Sequence, residues 1–138
     1  MAEPLKVRVV SNDSPVWEGD ATSVVVRTTE GDLGILSGHE AFMAILVPQA
    51  AEVITDRGDR EIFAISGGIV SVFKNHVSLI CPYGEIAKYI SVDEAERGRA
   101  KLHDRVYSGE ATEAEKMSYD KYVSQIRAAH KWSGSAYR

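Results

Sequence analysis

At 138 residues the chain suits one ordinary domain, or a domain with a small appendage, able to bury roughly two-thirds of its unfolded surface. Its apolar fraction of 44% and charged fraction of 26% are those of a soluble globular protein, and no run approaches the ~20 apolar residues of a membrane span. The formal net charge of -4 argues against nucleic-acid binding, which needs a basic face. The acidic excess lies before residue 91, where the chain changes character.

The opening MAEPLK has neither a basic region leading into an apolar stretch nor an Arg-rich amphipathic helix, so no export or import signal is expected. Leu5, Val7 and Val9 then alternate with Lys6, Arg8 and Val10, the period of a pleated strand. Asn12-Asp13-Ser14-Pro15 supplies turn chemistry. A second strand follows, with Val24, Val26 and Thr28 alternating against Ser23, Val25 and Arg27.

The next stretch, TTEGDLGILSGHE over residues 28–40, invites a nucleotide reading through Gly31, Gly34 and Gly38. The spacing is wrong for a phosphate loop, and Glu30, Asp32 and Glu40 would surround an anion with negative charge. Residues 37–40 can instead be read as a capping box opening a helix over 41–46, and local propensity leaves that open.

Residues 50–55, 61–66, 68–73 and 77–81 are short runs rich in Val, Ile and Phe. Asp56-Arg57-Gly58-Asp59, Ser66-Gly67-Gly68 and Lys74-Asn75-His76 mark turns between them. Short strands joined by tight turns, with no helices between, predict a sandwich or barrel and exclude a parallel βαβ sheet. The lone Cys81 sits in an apolar run as a small buried hydrophobe, which fits a reducing compartment.

After Ile90 the period becomes helical. Val92, Ala95, Arg99, Leu102 and Val106 share one face, as do Tyr119, Tyr122, Ile126, Ala129 and Trp132. Ser91 with Glu94, and Thr112 with Glu115, form capping boxes, and Ser108-Gly109 supplies a C-cap and a short connection. The reading is α+β, a β-sandwich followed by an antiparallel helical hairpin whose thin stripes bury little.

No catalytic constellation emerges. His39, His76, His103 and His130 are far apart and lack metal-ligand spacing, and no Gly-x-Ser-x-Gly is present. His39 reads as a turn residue with a backbone partner. Asp93, Glu94 and Glu96 read as charge at a helix N-terminus, and Tyr119, Tyr122 and Trp132 as core or interface. No enzyme, metal or cofactor is expected.

EGDLGILSGHEAFMAIL (residues 30–46), FAISGGIVSV (63–72) and SVDEAE (91–96), with KVRVVSNDSPVWEGDATSVVVRTTEGDLGIL (6–36) before them, together resemble the epsilon subunit of the bacterial F-type ATP synthase. The resemblance runs over essentially the whole chain. It implies a ten-stranded flattened antiparallel β-sandwich over residues 1–88 and a helical hairpin over 89–138, and an extended strand, not a helix, over 41–46. It also implies a noncatalytic rotor subunit at the foot of the central stalk, peripheral on the cytoplasmic face of the cell membrane, coupling proton transport to ATP synthesis. Glu30, Gly31 and Asp32 would face the membrane ring of c subunits, and His39, Phe42 and Met43 would lie at the gamma subunit. In the family the hairpin also extends into the catalytic head and hinders ATP hydrolysis. Lys116, Lys121, Arg127 and Lys131 would then meet an acidic surface of a beta subunit in that head of alpha and beta subunits; the plainer reading is a solvated helix face.

Some members bind ATP as a regulatory ligand through I/L-D-x-x-R-A. Here the aspartate is Asp93, but Glu96 stands where the arginine belongs and Arg97 is displaced by one residue, a rotation of ~100° on a helix. That departure argues against ATP sensing. The alternative function, a free-standing nucleotide-responsive β-sandwich binding module, would use Asp93, Arg97 and Arg99. Ser37 for the family's usual proline, and Glu40-Ala41 for its usual Ala-Pro, make the loop at 37–41 more acidic and less rigid.

Overall fold

The computed structural model describes residues 3–12 and 14–135. Asp13 of the first turn, with Met1 and Ala2 of the opening stretch, lies outside them. Nine strands are present among the described residues: β1 (Leu5–Ser11), β2 (Ser14–Thr28), β3 (Gly31–Leu36), β4 (Phe42–Leu46), β5 (Gln49–Thr55), β6 (Arg60–Ile65), β7 (Gly68–Phe73), β8 (His76–Cys81) and β9 (Gly84–Ile86). A 3-10 turn at Ala87–Tyr89 leads to α1 (Val92–Ser108) and α2 (Glu113–Ser135).

The count is nine and not ten because residues 14–28 run as one fifteen-residue strand. Its first half pairs antiparallel with β1, from Ser11 opposite Ser14 to Leu5 opposite Ala21. Its second half pairs with β5 and β3, Val24 lying opposite both Val53 and Ile35. One layer is therefore β4-β7-β8-β1 with the start of β2, and the other is β3, the end of β2, β5, β6 and β9. Every pairing is antiparallel except β1 with β8, which is parallel.

Alternation drives the core between the layers. Leu5, Val7, Val9, Val24, Val26, Val53, Phe63, Val70, Val72, Val77 and Leu79 are buried together, while Lys6 and Arg8 point outward to Asp20 and Glu18 on β2. Val10 breaks the expected pattern. It is buried although it keeps the outward parity of Lys6 and Arg8, at the end of the strand where a bulge on β2 leaves Val9 opposite Trp17 and Val10 opposite Pro15.

Residues 41–46 are extended and pair with β7 from Phe42–Val72 to Leu46–Gly68. Ladder pairing overrides the local helical reading there. Residues 28–40 are likewise not one loop: β3 occupies their middle, with a turn at each end. Lys74 and Asn75 both take left-handed backbone, making the two-residue turn between β7 and β8, and the Asn75 side chain accepts a hydrogen bond from Gly38 N–H at 2.8 Å.

The hairpin is capped largely as read. Thr112 and Glu115 exchange hydrogen bonds at 2.9 and 3.1 Å, Ser91 accepts from Glu94 N–H at 3.4 Å, and Gly109 closes α1 at φ +80°. The single predicted stripe on α2 proves to be two faces. Tyr122 meets α1, where its ring fills the space a side chain at Gly98 would need; Ser124 and Ala128 are fully buried, and Ala128 packs against Ala50, Ile62, Ala64 and Ala87. Small residues lie there because the helix backbone approaches the sheet closely. Trp132 is not part of the buried face.

Gly68, the first residue of β7, has φ +108°, and a Cβ on it would lie 2.0 Å from the Ile80 carbonyl oxygen. Gly68→Ala should destabilise the sandwich by about 3 kcal/mol, from strained backbone and a displaced β8. Thermal denaturation reads the loss, and an unchanged midpoint would show that β8 yields freely.

Candidate functional site

The turn between β2 and β3 is built by Thr28. Its hydroxyl donates to the Gly31 carbonyl at 2.9 Å and accepts from Glu30 N–H at 3.1 Å, and Gly31 takes the positive φ that closes the turn. Glu30 stands exposed at the tip. Asp32 is drawn back along the strand by Arg27 at 3.4 Å. The three residues expected to act together are brought together, with Glu30 foremost.

His39 lies at the other end of β3, roughly 20 Å away for six extended residues. Its Nδ1 donates to the Glu40 carbonyl at 2.8 Å, and its ring meets Phe42 edge-on with centroids 5.9 Å apart. Met43, 69% exposed, and Ile45, 61%, project from the outer face of β4. Adjacent strands extend the patch: Ile69 lies opposite both Ile45 and Ile80, and Phe73 follows on β7. The result is an apolar patch on the outer sheet face of β4, β7 and β8, with Ile45, Ile69 and Ile80 in one row and Met43 beside Ser71 and Ser78 in the next.

Ile45, Ile69, Phe73 and Ile80 were not singled out from the sequence, although a signal was there. GIVSVF is apolar at both parities of the strand, with Val70 and Val72 inward and Ile69 and Phe73 outward, the pattern of a strand covered on both faces.

On the opposite layer α2 is fastened by polar groups. Gln125 Nε2 donates to the Tyr83 hydroxyl at 2.8 Å and to Glu85 Oε1 at 3.3 Å, and the Tyr83 hydroxyl donates to Glu85. Burial, then the Glu85 carboxylate, pushes the Tyr83 hydroxyl far above its ordinary range. Lys121 Nζ sits 5.1 Å from the centroid of the Tyr83 ring, and Arg127 Nη1 donates to the Pro48 carbonyl at 2.6 Å. Of the four basic residues expected to meet a partner, Lys121 and Arg127 are thus used on the sandwich, Lys116 pairs with Glu113 at 3.3 Å, and Lys131 is exposed.

The groove between α1 and α2 encloses about 430 Å³ and is lined by Glu94, Arg97, Gly98, Lys101 and Tyr122, among others. Of the nucleotide candidates only Arg97 lines it. Asp93 belongs to the first turn of α1, where it complements the helix dipole, and Arg99 is half-buried elsewhere on the helix.

A sequence model of the family described as "ATP synthase, Delta/Epsilon chain, beta-sandwich domain" matches residues 4–85. The ATP synthase epsilon chain of Cutibacterium acnes is 47% identical over 111 residues, covering 80% of this chain and 76% of that one. The Bacillus subtilis epsilon chain is 38% identical over 104 residues, 75% and 78% of the two chains. Among solved structures, a chain of Euglena gracilis mitochondrial ATP synthase superposes with a TM-score of 0.70 at 20% identity, covering 100% of this chain and 83% of that one, a likeness of fold.

Asp120 faces a cavity of about 310 Å³ between α2 and the sandwich, lined also by Ser11, Asn12, Ser66, Met117 and Lys121. Burial raises its carboxyl above the ordinary range. A folded-state pKa raised in this way leaves stability full below the unfolded pKa and erodes it as pH rises through the folded one. Asp120→Asn should therefore raise the melting temperature near neutral pH, the gain vanishing below the usual carboxylate range. A gain that stays constant with pH would mean that ionisation of Asp120 is not its source.

Proposed function

The chain belongs to the ATP synthase delta/epsilon family, as an epsilon chain and a noncatalytic subunit, and on that ground we propose that it joins gamma to the membrane rotor ring. The observation that carries the proposal is the apolar outer face of β4, β7 and β8. Large apolar side chains exposed together on one sheet face mark a surface that another protein covers. In this reading gamma covers Met43, Ile45, Ile69, Phe73 and Ile80, with His39 and Phe42 at the margin.

The Glu30 turn is the second contact, placed against the polar loops of the ring of c subunits. Glu30 supplies the leading charge and Asp32, steadied by Arg27, the next one back. Their separation from the His39 end by the length of β3 supports two partners rather than one. Rotation driven by proton flow would pass from ring to gamma through a sandwich that needs no cofactor. No described helix is long and apolar enough to cross a membrane, so the attachment is peripheral in this proposal, on the cytoplasmic face.

We divide the chain into a sandwich at 1–88 that holds both contacts and a hairpin at 89–138 that regulates. Extended toward the alpha and beta subunits of the head, the hairpin would present Lys116, Lys121, Arg127 and Lys131 to beta and hinder hydrolysis. A helix of 23 residues spans ~35 Å, enough for that reach.

Paired replacement of Met43 and Ile45 by Asp should cut recovery of gamma by at least about tenfold, since centrally placed apolar anchors dominate such interfaces. The outward position of both residues should leave the melting curve nearly unchanged. Undiminished recovery of gamma would move the interface elsewhere. Ending the chain after Tyr89 should raise ATP hydrolysis by the assembled enzyme several-fold while assembly persists; equal hydrolysis with and without the hairpin would deny it an inhibitory role.

A further inference from the structure

Only α2 lies along the sheet; α1 packs chiefly on α2 and joins the sandwich through residues 90–91. The apolar seat of α2 is small, four alanines and Ile62 buried, with Tyr83 and Ile90 partly buried at its margin. Alanine contacts release little transfer free energy, so a seat of this kind does not by itself hold a 44-residue stretch, from Val92 to Ser135, in one place. The remaining fastenings are polar and long-range in sequence: Gln125 to Tyr83 and Glu85, Lys121 over Tyr83, and Arg127 to the Pro48 carbonyl.

We infer that these groups form a latch that also engages two of the hairpin's cations, Lys121 and Arg127. The Tyr83 hydroxyl spends its proton on Glu85 and accepts from Gln125, so each member of the network fixes the next. Each of these bonds is exchangeable with water at modest net cost, which makes the latch releasable. Lys121 lies over the Tyr83 ring and one Arg127 nitrogen is held on the Pro48 carbonyl while the hairpin is closed, so carrying the two side chains to an acidic partner in the head breaks both contacts. Closing the latch and engaging the head are then exclusive because both need the same two side chains. This second consequence rests on the proposed extended position; the latch itself does not.

The two parts separate experimentally. Spin labels at exposed positions 57 and 131 of the isolated full chain report the spacing between the β5–β6 turn and the end of α2. Gln125→Ala and the milder Glu85→Gln should each enlarge the long-distance population about tenfold, the effect of losing a hydrogen bond to a charged group. Distances unchanged in both variants would overturn the latch, whatever hydrolysis does. In the assembled enzyme Gln125→Ala, which frees the hairpin with its cations intact, should lower hydrolysis. Arg127→Ala, which frees it and removes a cation, should lower hydrolysis less. Enlarged distances with equal hydrolysis in both variants would keep the latch and overturn the shared use of Lys121 and Arg127. Enlarged distances without any change from the parent enzyme would, in addition, tell against the proposed inhibitory position.

Discussion

The sandwich depends on β2 serving both of its layers. Ala21 is fully buried where the strand passes between them, opposite Leu5 on one side and Thr55 on the other. Only a small side chain suits that crossing, because two sheets converge on it. From this point the strand carries Val24 and Val26 into the core and ends at Thr28, whose hydroxyl shapes the turn bearing Glu30. The candidate ring contact is therefore attached directly to the strand that ties the layers together. The parallel pairing of β1 with β8 joins the same strand to β7 and β4, and so to the apolar face.

Much of this was legible in the residues. Period-two alternation located β1 and the end of β2, short runs rich in Val, Ile and Phe between turns located β5 to β8, and helical periodicity with the caps located both helices. What escaped depends on partners distant in sequence. Gly31 and Gly34 weaken any local strand signal in β3, yet pairing with residues 23–28 extends it. The first half of β2 has Pro15, Gly19 and Asp20, poor strand formers, and is held by β1; the Trp17 ring lies over Gly19 and packs toward Phe63. Residues 41–46 were ambiguous on local grounds and resolved by resemblance, and the physical cause is their ladder with β7.

The sites divide in the same way. A turn tip carrying Glu30 is a local feature and could be read. The outer face needed the strand parity of three elements at once, and Tyr83, Glu85 and Gln125 meet across some forty residues with no local pattern to announce them. The hairpin stripe was read as one face because helical periodicity cannot count how many neighbours a helix has. With α1 on one side and the sheet on another, α2 places tyrosine toward the helix and alanine toward the sheet.

The apolar face of β4, β7 and β8 has a consequence for the life of the chain before assembly. Wet hydrophobic surface of that extent favours self-association, at a rate that rises with the concentration of unassembled copies. Fold stability does not protect against this, since the patch is outside the core and is presented by the correctly folded state. Supply of the chain in step with its partner is thus a requirement set by Met43, Ile45, Ile69, Phe73 and Ile80. An excess copy is prone to self-association even when perfectly folded.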